Sequence, residues 1–588
     1  MPPRRASVKP DSQVNGKKRA ASSPEAEAPT KRARPASTRS KPASSAAPPS
    51  SRKSVRGKPS EDAPEPSNAV TGAKKVAAAV KPKNKALAAI KEEVKAGAGR
   101  RVSAGGKRVG APNLGRLPLP TPAEHLRPAQ TAMVFGTGDS GEFGMGDDER
   151  GEKSKPELQS WIEEAIASAK LGGEGAGIED LVCGGMHSLM IDEQGHVWTW
   201  GVNDGGALGR RTDKVADPAN PSQTLDRDVL EATPGVVQAL VDEGFRAVRV
   251  AAGDSVSMAI SDEGKVKYWG SFRGKEGLMG FGGVDKMIQY DPVDLPWQTS
   301  RAESDRFIAI AAGTDHVLAL SADGFVFALG DGEKAQLGRK IMARRRLNSL
   351  HPERLGLRKI VSIGAGAFHS FAINEDGQVY GWGNNLFGQL GVADSDIDAS
   401  WEKRVVERPT IIKALNPENH GGARVKQISA GENHSLFLFD NGALFSCGKI
   451  VNNELGIGAD HPAMTDDAKE LQYIGEPVQV FFPPPSTPDN KVPKVQPYED
   501  SDDYRSASHR VAHVDAGPRH SIAVTTDGFY YSWGSGPSAQ LGLGSKELAE
   551  VPTLLTNKLL RTHTGVKAAT GAMTSFIIAR AREEEWGA

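Results

Sequence analysis

The chain has 588 residues, 66 of them glycine and two of them cysteine, with 73 basic and 73 acidic side chains in formal balance. Two cysteines exclude a disulfide framework and any zinc site built from cysteine clusters, and no run of about 18 apolar residues is present to span a membrane. The balance hides a division: residues 1–130 carry 28 basic and nine acidic side chains, and the remainder carries 45 and 64.

Residues 1–130 are dominated by Ala, Pro, Ser, Lys and Arg. Such a segment buries too little apolar surface to offset its ordering entropy. It reads as a disordered basic arm with one weak helix around 77–95. No apolar stretch gives it the core of a secretory signal. Lys17-Lys18-Arg19 and Lys31-Arg32-Ala33-Arg34 stand eleven residues apart, a spacing similar to a bipartite nuclear-import signal. A nuclear-import receptor is therefore an expected partner and the nucleus the expected compartment. The same charges displace counterions from phosphates, so DNA is the second expected partner of the arm.

The body is read as residues 131–580, followed by a short tail, 581–588. It opens on Gly136-Thr137-Gly138-Asp139-Ser140-Gly141, which fits G-x-G-x-x-G. The continuation Glu142-Phe143-Gly144-Met145-Gly146 is no helix start, so a dinucleotide fold is not read here. Leu158, Trp161, Ile162, Ala165, Ile166 and Ala169 follow helical spacing and predict a helical insert over 154–170. Ser154 with Glu157 has the pattern of a capping box at its start.

From there a repeat runs to the end. Cores similar to Ala-Gly-x-x-His-Ser place Gly at 184, 253, 313, 366, 431, 517 and 571. Each is followed by an apolar run, a turn glycine, a second run ending in Trp-Gly or a relative, and then Gly-x-Leu-Gly or a relative. Two short runs joined by Asp376-Gly377 or Asn441-Gly442 are hairpins. One small sheet cannot bury both faces, but seven stacked radially can. The reading is all-β: a seven-bladed β-propeller behind a disordered basic N-terminal arm. The seventh core, at 571, lacks its second half, and a matching half, 135–144, opens the body. The two ends are expected to complete one blade and remove the free edges at the seam.

Three stretches break the pattern. Ser271-Phe272-Arg273-Gly274-Lys275-Glu276-Gly277-Leu278-Met279 stands where other copies build Gly-x-Leu-Gly. Arg339-Lys340 and Arg344-Arg345-Arg346 form a basic loop in an acidic body. Residues 459–510 form a long, acidic, Pro-rich loop. The recurring His-Ser pairs do not make catalytic dyads, because neighbours in a strand point to opposite faces. Their recurrence assigns them to blade geometry. With no P-loop and no converging ligand set, no cofactor and no metal are expected.

The repeat resembles that of the regulator of chromosome condensation family, exchange factors for the GTPase Ran. The segment 269–280 resembles that family's β-wedge, and Cys183-Gly184-Gly185-Met186-His187-Ser188 followed by 203–210 strengthens the match. The resemblance implies nucleotide exchange on Ran at chromatin, serving nucleocytoplasmic transport and mitosis, without covalent chemistry. It implies that the wedge faces the GTPase together with Asp254, Asp315 and His434, with Asp139 in a related rim turn. It implies that the loop bearing Arg344, Arg345 and Arg346 contacts the acidic patch of histones on the nucleosome. The alternative is a propeller of the same repeat that only scaffolds chromatin or proteins.

Overall fold

The computed structural model describes residues 116–281, 286–295, 306–396, 404–483 and 510–582. Both basic clusters of the arm, the 77–95 segment and residues 484–509 lie outside them. Seven four-stranded antiparallel sheets make a β-propeller, with one extra two-stranded hairpin. Each blade runs outward in chain order. In the fourth, Ile360–Ala365 lines the central channel, and His369–Asn374, Val379–Asn384 and Val405–Ile411 follow. The seventh blade is composite: His563–Thr570 and Thr574–Ala581 pair with Gln130–Thr137 and Glu152–Leu158 from the start of the body.

Three expectations are corrected. The helix is Ser160–Ala167, not 154–170, and its cap is Gln159, whose side chain accepts from the Ile162 N–H at 2.6 Å. Ser154 and Glu157 lie instead in the strand Glu152–Leu158. The seam needs that outer strand to pair an otherwise free edge. Pro156 is tolerated there because an outermost strand has unpaired N–H positions. The helix buries Ile162 and Ala165 against Ala132, Val134 and Phe576.

The 459–510 stretch is not all loop. It contains the short helix Asp466–Leu471 and the strand Tyr473–Val480, which is the outer strand of the fifth blade. The arm is also shorter than 130 residues. Leu117 N–H donates to the Ala322 carbonyl at 2.8 Å. Leu119 packs over Gly264, and Arg127 makes two 2.9 Å hydrogen bonds to Glu193. Residues 116–129 are thus a strap over the propeller.

The blades are joined by one repeated relay. The His opening the second strand of a blade bonds through Nε2 to a Ser of the next blade: His187 to Ser257, His316 to Ser370, His369 to Ser435, His434 to Ser521 and His520 to Ser575, at 2.8–3.0 Å. Four of those Ser hydroxyls donate to the carbonyl of the residue before Leu in the Gly-x-Leu-Gly turn of the first blade, as Ser370 does to Gln336 at 2.9 Å. In two of these copies the Trp of the next blade donates its indole N–H to the same carbonyl, Trp269 to Ala207 at 2.8 Å and Trp382 to Gln336 at 2.9 Å. These histidines are buried, and loss of hydration pulls them down to about 3 to 4, so they are neutral donors.

The relay explains the motif. A Cβ on Gly366 would run into the His369 ring, and one on Gly338, whose φ is +62°, would press on Trp382. The Ala-Gly core and the last Gly of Gly-x-Leu-Gly are therefore close-approach positions.

Replacing Ser370 by Ala should destabilise the propeller by about 1–3 kcal/mol, because the buried His316 Nε2–H loses its acceptor. Equilibrium denaturation measures this. A change under about 0.5 kcal/mol would show that the relay is not what joins these blades.

Candidate functional site

Alternating strand directions place two sets of loops on one face: the turns between first and second strands, and the connections between third and fourth. The wedge is one of these connections. It folds as the hairpin Phe272–Gly274 with Gly277–Gly280. Phe272 and Met279 are buried at its root among Val256, Val317, Leu329 and Leu350, while Lys275, Glu276, Gly277 and Leu278 are exposed at its tip. Ser271 is buried beneath it and donates its backbone N–H to the Ser255 carbonyl at 2.8 Å.

The wedge stands where the relay is missing. The second blade has Val256 in place of His and no Gly-x-Leu-Gly turn. The third has Val317 in place of Ser and Leu329 in place of Trp, all three fully buried. With no carbonyl to serve, each donor of the relay is replaced by hydrocarbon. The junction becomes an apolar socket for the wedge root.

Asp315 fixes the root. Its Oδ1 accepts the Arg273 N–H at 2.7 Å. Burial pushes this carboxyl up to about 6 despite that hydrogen bond, and the like charges of Asp254 and Asp331 add to the effect. The Arg273 guanidinium reaches the exposed Asp204 at 3.5 Å. Asp254 is exposed beside Asp315, with its backbone N–H on the Thr314 carbonyl at 2.9 Å. Asp139 is exposed on the same face, in the connection that follows Gln130–Thr137. Met186, Met573, Leu278, Met342 and Leu386 add exposed apolar side chains to this face.

His434 is not part of this surface. It is fully buried in the fifth-to-sixth relay, 2.9 Å from Ser521. The recurrence of His at that position is the signal that separates it from the rim acids. Nor is the basic loop a separate surface. It forms irregular turns over Ala343–Leu350 directly beside the wedge. Arg346 reaches the wedge's Glu276 at 3.1 Å and lies 4.0 Å from Glu333. Arg344 and Arg345 point outward, exposed. Asp204 and Asp331 had no motif to mark them. Hairpin pairing sets Asp331 beside Asp315, its N–H on the Asp315 carbonyl at 2.7 Å, and packing between blades brings Asp204 to Arg273. Among the described residues, no group of three or more His, Cys, Asp or Glu is arranged to hold a metal ion.

Comparison with known proteins bears on this geometry. The family model for the RCC1-like domain matches residues 131–577. The chain belongs to the RCC1-like family. The guanine nucleotide exchange factor SRM1 of Saccharomyces cerevisiae is 34% identical over 457 residues, 75% of this chain and 86% of that one. A crystal structure of Prp20p from the same yeast, described with its binding properties to Gsp1p and histones, superposes with a TM-score of 0.63 at 32% identity, covering 78% and 92% of the two chains. A second structure, of Kap60 bound to yeast RCC1 (Prp20), gives 0.65 at 30% identity, covering 83% and 97%. The RCC1-like propeller of this chain is thus shared with these relatives over nearly their whole length.

Asp315→Asn should keep the acceptor for Arg273 and remove the charge, whereas Asp315→Ala strands that N–H. The raised carboxyl means that its ionised form is disfavoured by folding. The wild type should therefore gain stability as pH falls from about 6 towards 4, by about 1–3 kcal/mol, and Asp315→Asn should lack that gain. Melting curves across pH 4–8 measure it. Identical profiles would remove the buried carboxyl from the argument.

Proposed function

We propose that this protein is a guanine-nucleotide exchange factor for a Ran-type GTPase and that it works on chromatin in the nucleus. The observation that carries this is the wedge: an exposed hairpin tip on a buried apolar root, flanked by carboxylates, at the blade junction where hydrocarbon replaces the relay. SRM1, named as an exchange factor, and Prp20p, described as binding Gsp1p, support the assignment.

The mechanism needs no covalent step. A GTPase holds its nucleotide through a phosphate loop, a lysine and Mg²⁺. An exchange factor that binds the empty GTPase more tightly than the loaded one loosens the nucleotide by the same factor, because coupling is reciprocal. Asp254, Asp139 and Asp204 offer exposed carboxylates to a basic partner and raise the encounter rate. Asp315 holds the wedge in its working position and adds charge at its base. The wedge tip, including Leu278, displaces a partner loop, and the surrounding methionines supply adaptable apolar contact.

The remaining features fit chromatin. Arg344 and Arg345 offer planar forks to an acidic protein surface, such as that of histones. Arg346 is already engaged by the wedge and is withdrawn from that role. The arm supplies sequence-independent DNA contacts. Its clusters at Lys17, Lys18, Arg19 and at Lys31, Arg32, Arg34 suit an import adaptor, and the Kap60 complex of the yeast relative supports that reading.

Deleting residues 275–278 should leave melting unchanged and abolish release of labelled GDP from Ran, because every buried wedge residue lies outside the deletion. Unchanged release would overturn the assignment and leave a scaffold. Asp315→Asn should slow release by about 10- to 100-fold, on the order of 1.4–2.7 kcal/mol.

Removing residues 1–115 should weaken binding to naked DNA steeply and leave release on free Ran intact. The cut belongs at 115, because the strap that follows is part of the propeller. DNA binding that keeps its affinity and salt slope would show that the arm is not the DNA-binding element.

A further inference from the structure

The wedge is pinned at its root, but its tip needs a separate restraint. Phe272 and Met279 anchor the two strands in the core, and Asp315 holds the Arg273 N–H. Beyond them lie only the cross-strand pairs Arg273 with Leu278 and Gly274 with Gly277. A hairpin that short is marginal in water. Lys275 and Glu276 are flanked by Gly274 and by Gly277, the latter at φ +102°. The backbone of the tip is therefore free to swing about the root.

The restraint comes from the third blade. The connection between its strands Val326–Gly330 and Glu353–Arg354 carries the turns over Ala343–Leu350. These turns are themselves tied down at both ends. Arg339 spans the neck, 3.0 Å from Glu353 and 3.2 Å from the His351 carbonyl. Leu350 is buried in the same apolar cluster as Phe272 and Met279. From this support the Arg346 Nη1 reaches the tip, 3.1 Å from Glu276 and 4.0 Å from Glu333. Among the described residues, no other side chain forms an ion pair with the tip. Arg346 is 26% exposed and Glu276 is 76% exposed, so the arginine is the anchored partner and the tip is the restrained one. Without Arg346, Glu276 and Glu333 would meet as like charges across one gap and push the tip away from the third blade.

We propose that Arg346 is a positioning residue for nucleotide exchange: it clasps the wedge tip, through Glu276, in the orientation that displaces the partner's loop. The inference rests on the reading of the wedge as the exchange element. An ion pair with one exposed partner adds little to global stability. The clasp therefore acts on where the tip points and not on whether the ring folds. The rim carboxylates set the encounter with the GTPase, and the wedge acts at nucleotide release. Loss of the clasp is thus read in kcat and not in KM.

The test measures release of labelled GDP from Ran by the full chain, with kcat and KM separated. R346Q should lower kcat about 3- to 10-fold, leave KM within about twofold and leave the melting temperature unchanged. E276Q should do the same, and R346Q/E276Q should be no slower than the slower single variant, because both remove one interaction. R346K keeps the charge and should recover most of the loss. The gap between wild type and R346Q should narrow from about 50 to 500 mM salt, since an exposed pair is screened. A raised KM at unchanged kcat would make Arg346 a contact of the GTPase, and losses that multiply in the double variant would make the two residues independent; either result overturns the clasp. Deleting residues 275–278 separates this proposal from the reading it rests on. If the deletion abolishes release while R346Q keeps the wild-type kcat, the clasp falls and the wedge stands. If the deletion leaves release unchanged, the wedge reading falls and the clasp falls with it. If R346Q melts early, E276Q decides: it lies at the exposed tip, and a wild-type kcat in that variant overturns the proposal.

Discussion

The propeller depends on one bridge repeated between blades: a neutral His to a Ser of the next blade, on to a turn carbonyl of the first blade, where an indole N–H also arrives. Radially packed sheets bury polar groups that water cannot reach, and each must be satisfied. The relay does this with three side chains and one carbonyl, and it fixes the spacing between neighbours. His369, Ser435 and Gln389 form one copy, and Cys447 takes the indole's place there at 3.5 Å. The seam departs from the relay in its own way: Thr574 donates to the Thr137 carbonyl at 2.8 Å, and Trp200 donates to Glu142 at 2.9 Å. Closure therefore joins the two chain ends through hydrogen bonds as well as strand pairing.

The working surface is the exception to that rule. Between the second and third blades the turn that supplies the carbonyl is gone, and Val256, Val317 and Leu329 replace the groups that would have served it. The released chain becomes the wedge, with Phe272 and Met279 in the hydrocarbon left behind. An extra hairpin costs little here, because its root is buried as core and its tip is free. The rigid ring then holds the tip against a partner without being deformed by it.

The two faces differ in chemistry for a topological reason. Turns on the wedge face are free to carry Asp139, Asp254, Asp315 and exposed methionines. On the other face the connections between blades are anchored by side chains that cover the preceding turn. Arg246 lies over Gly195, Arg424 over Gly377 and Arg510 over Gly442. That face has basic side chains built in, and the strap crosses it.

The sequence by itself determined the blade count, the joint closure of the seam and the position of the wedge. All three are written in local spacing: glycines at close approaches, turn dipeptides, and one copy lacking its Gly-x-Leu-Gly. It also marked Asp254 and Asp315, because rim turns are short and their positions are countable. It misplaced the helix start, because helical periodicity in 154–158 says nothing about an edge 20 residues earlier that needs a partner. The family resemblance put His434 on the surface, whereas the recurrence of His at that position had assigned it to blade geometry, where it bonds Ser521. Only the tertiary structure decided that Arg346 belongs to the wedge, that residues 116–129 strap the far face, and that Asp331 joins Asp315. The first two link segments that are distant in sequence, and the third follows from the register of one hairpin, where His316 faces Gly330. The distance between those distant segments is set by the ring, which no local pattern encodes.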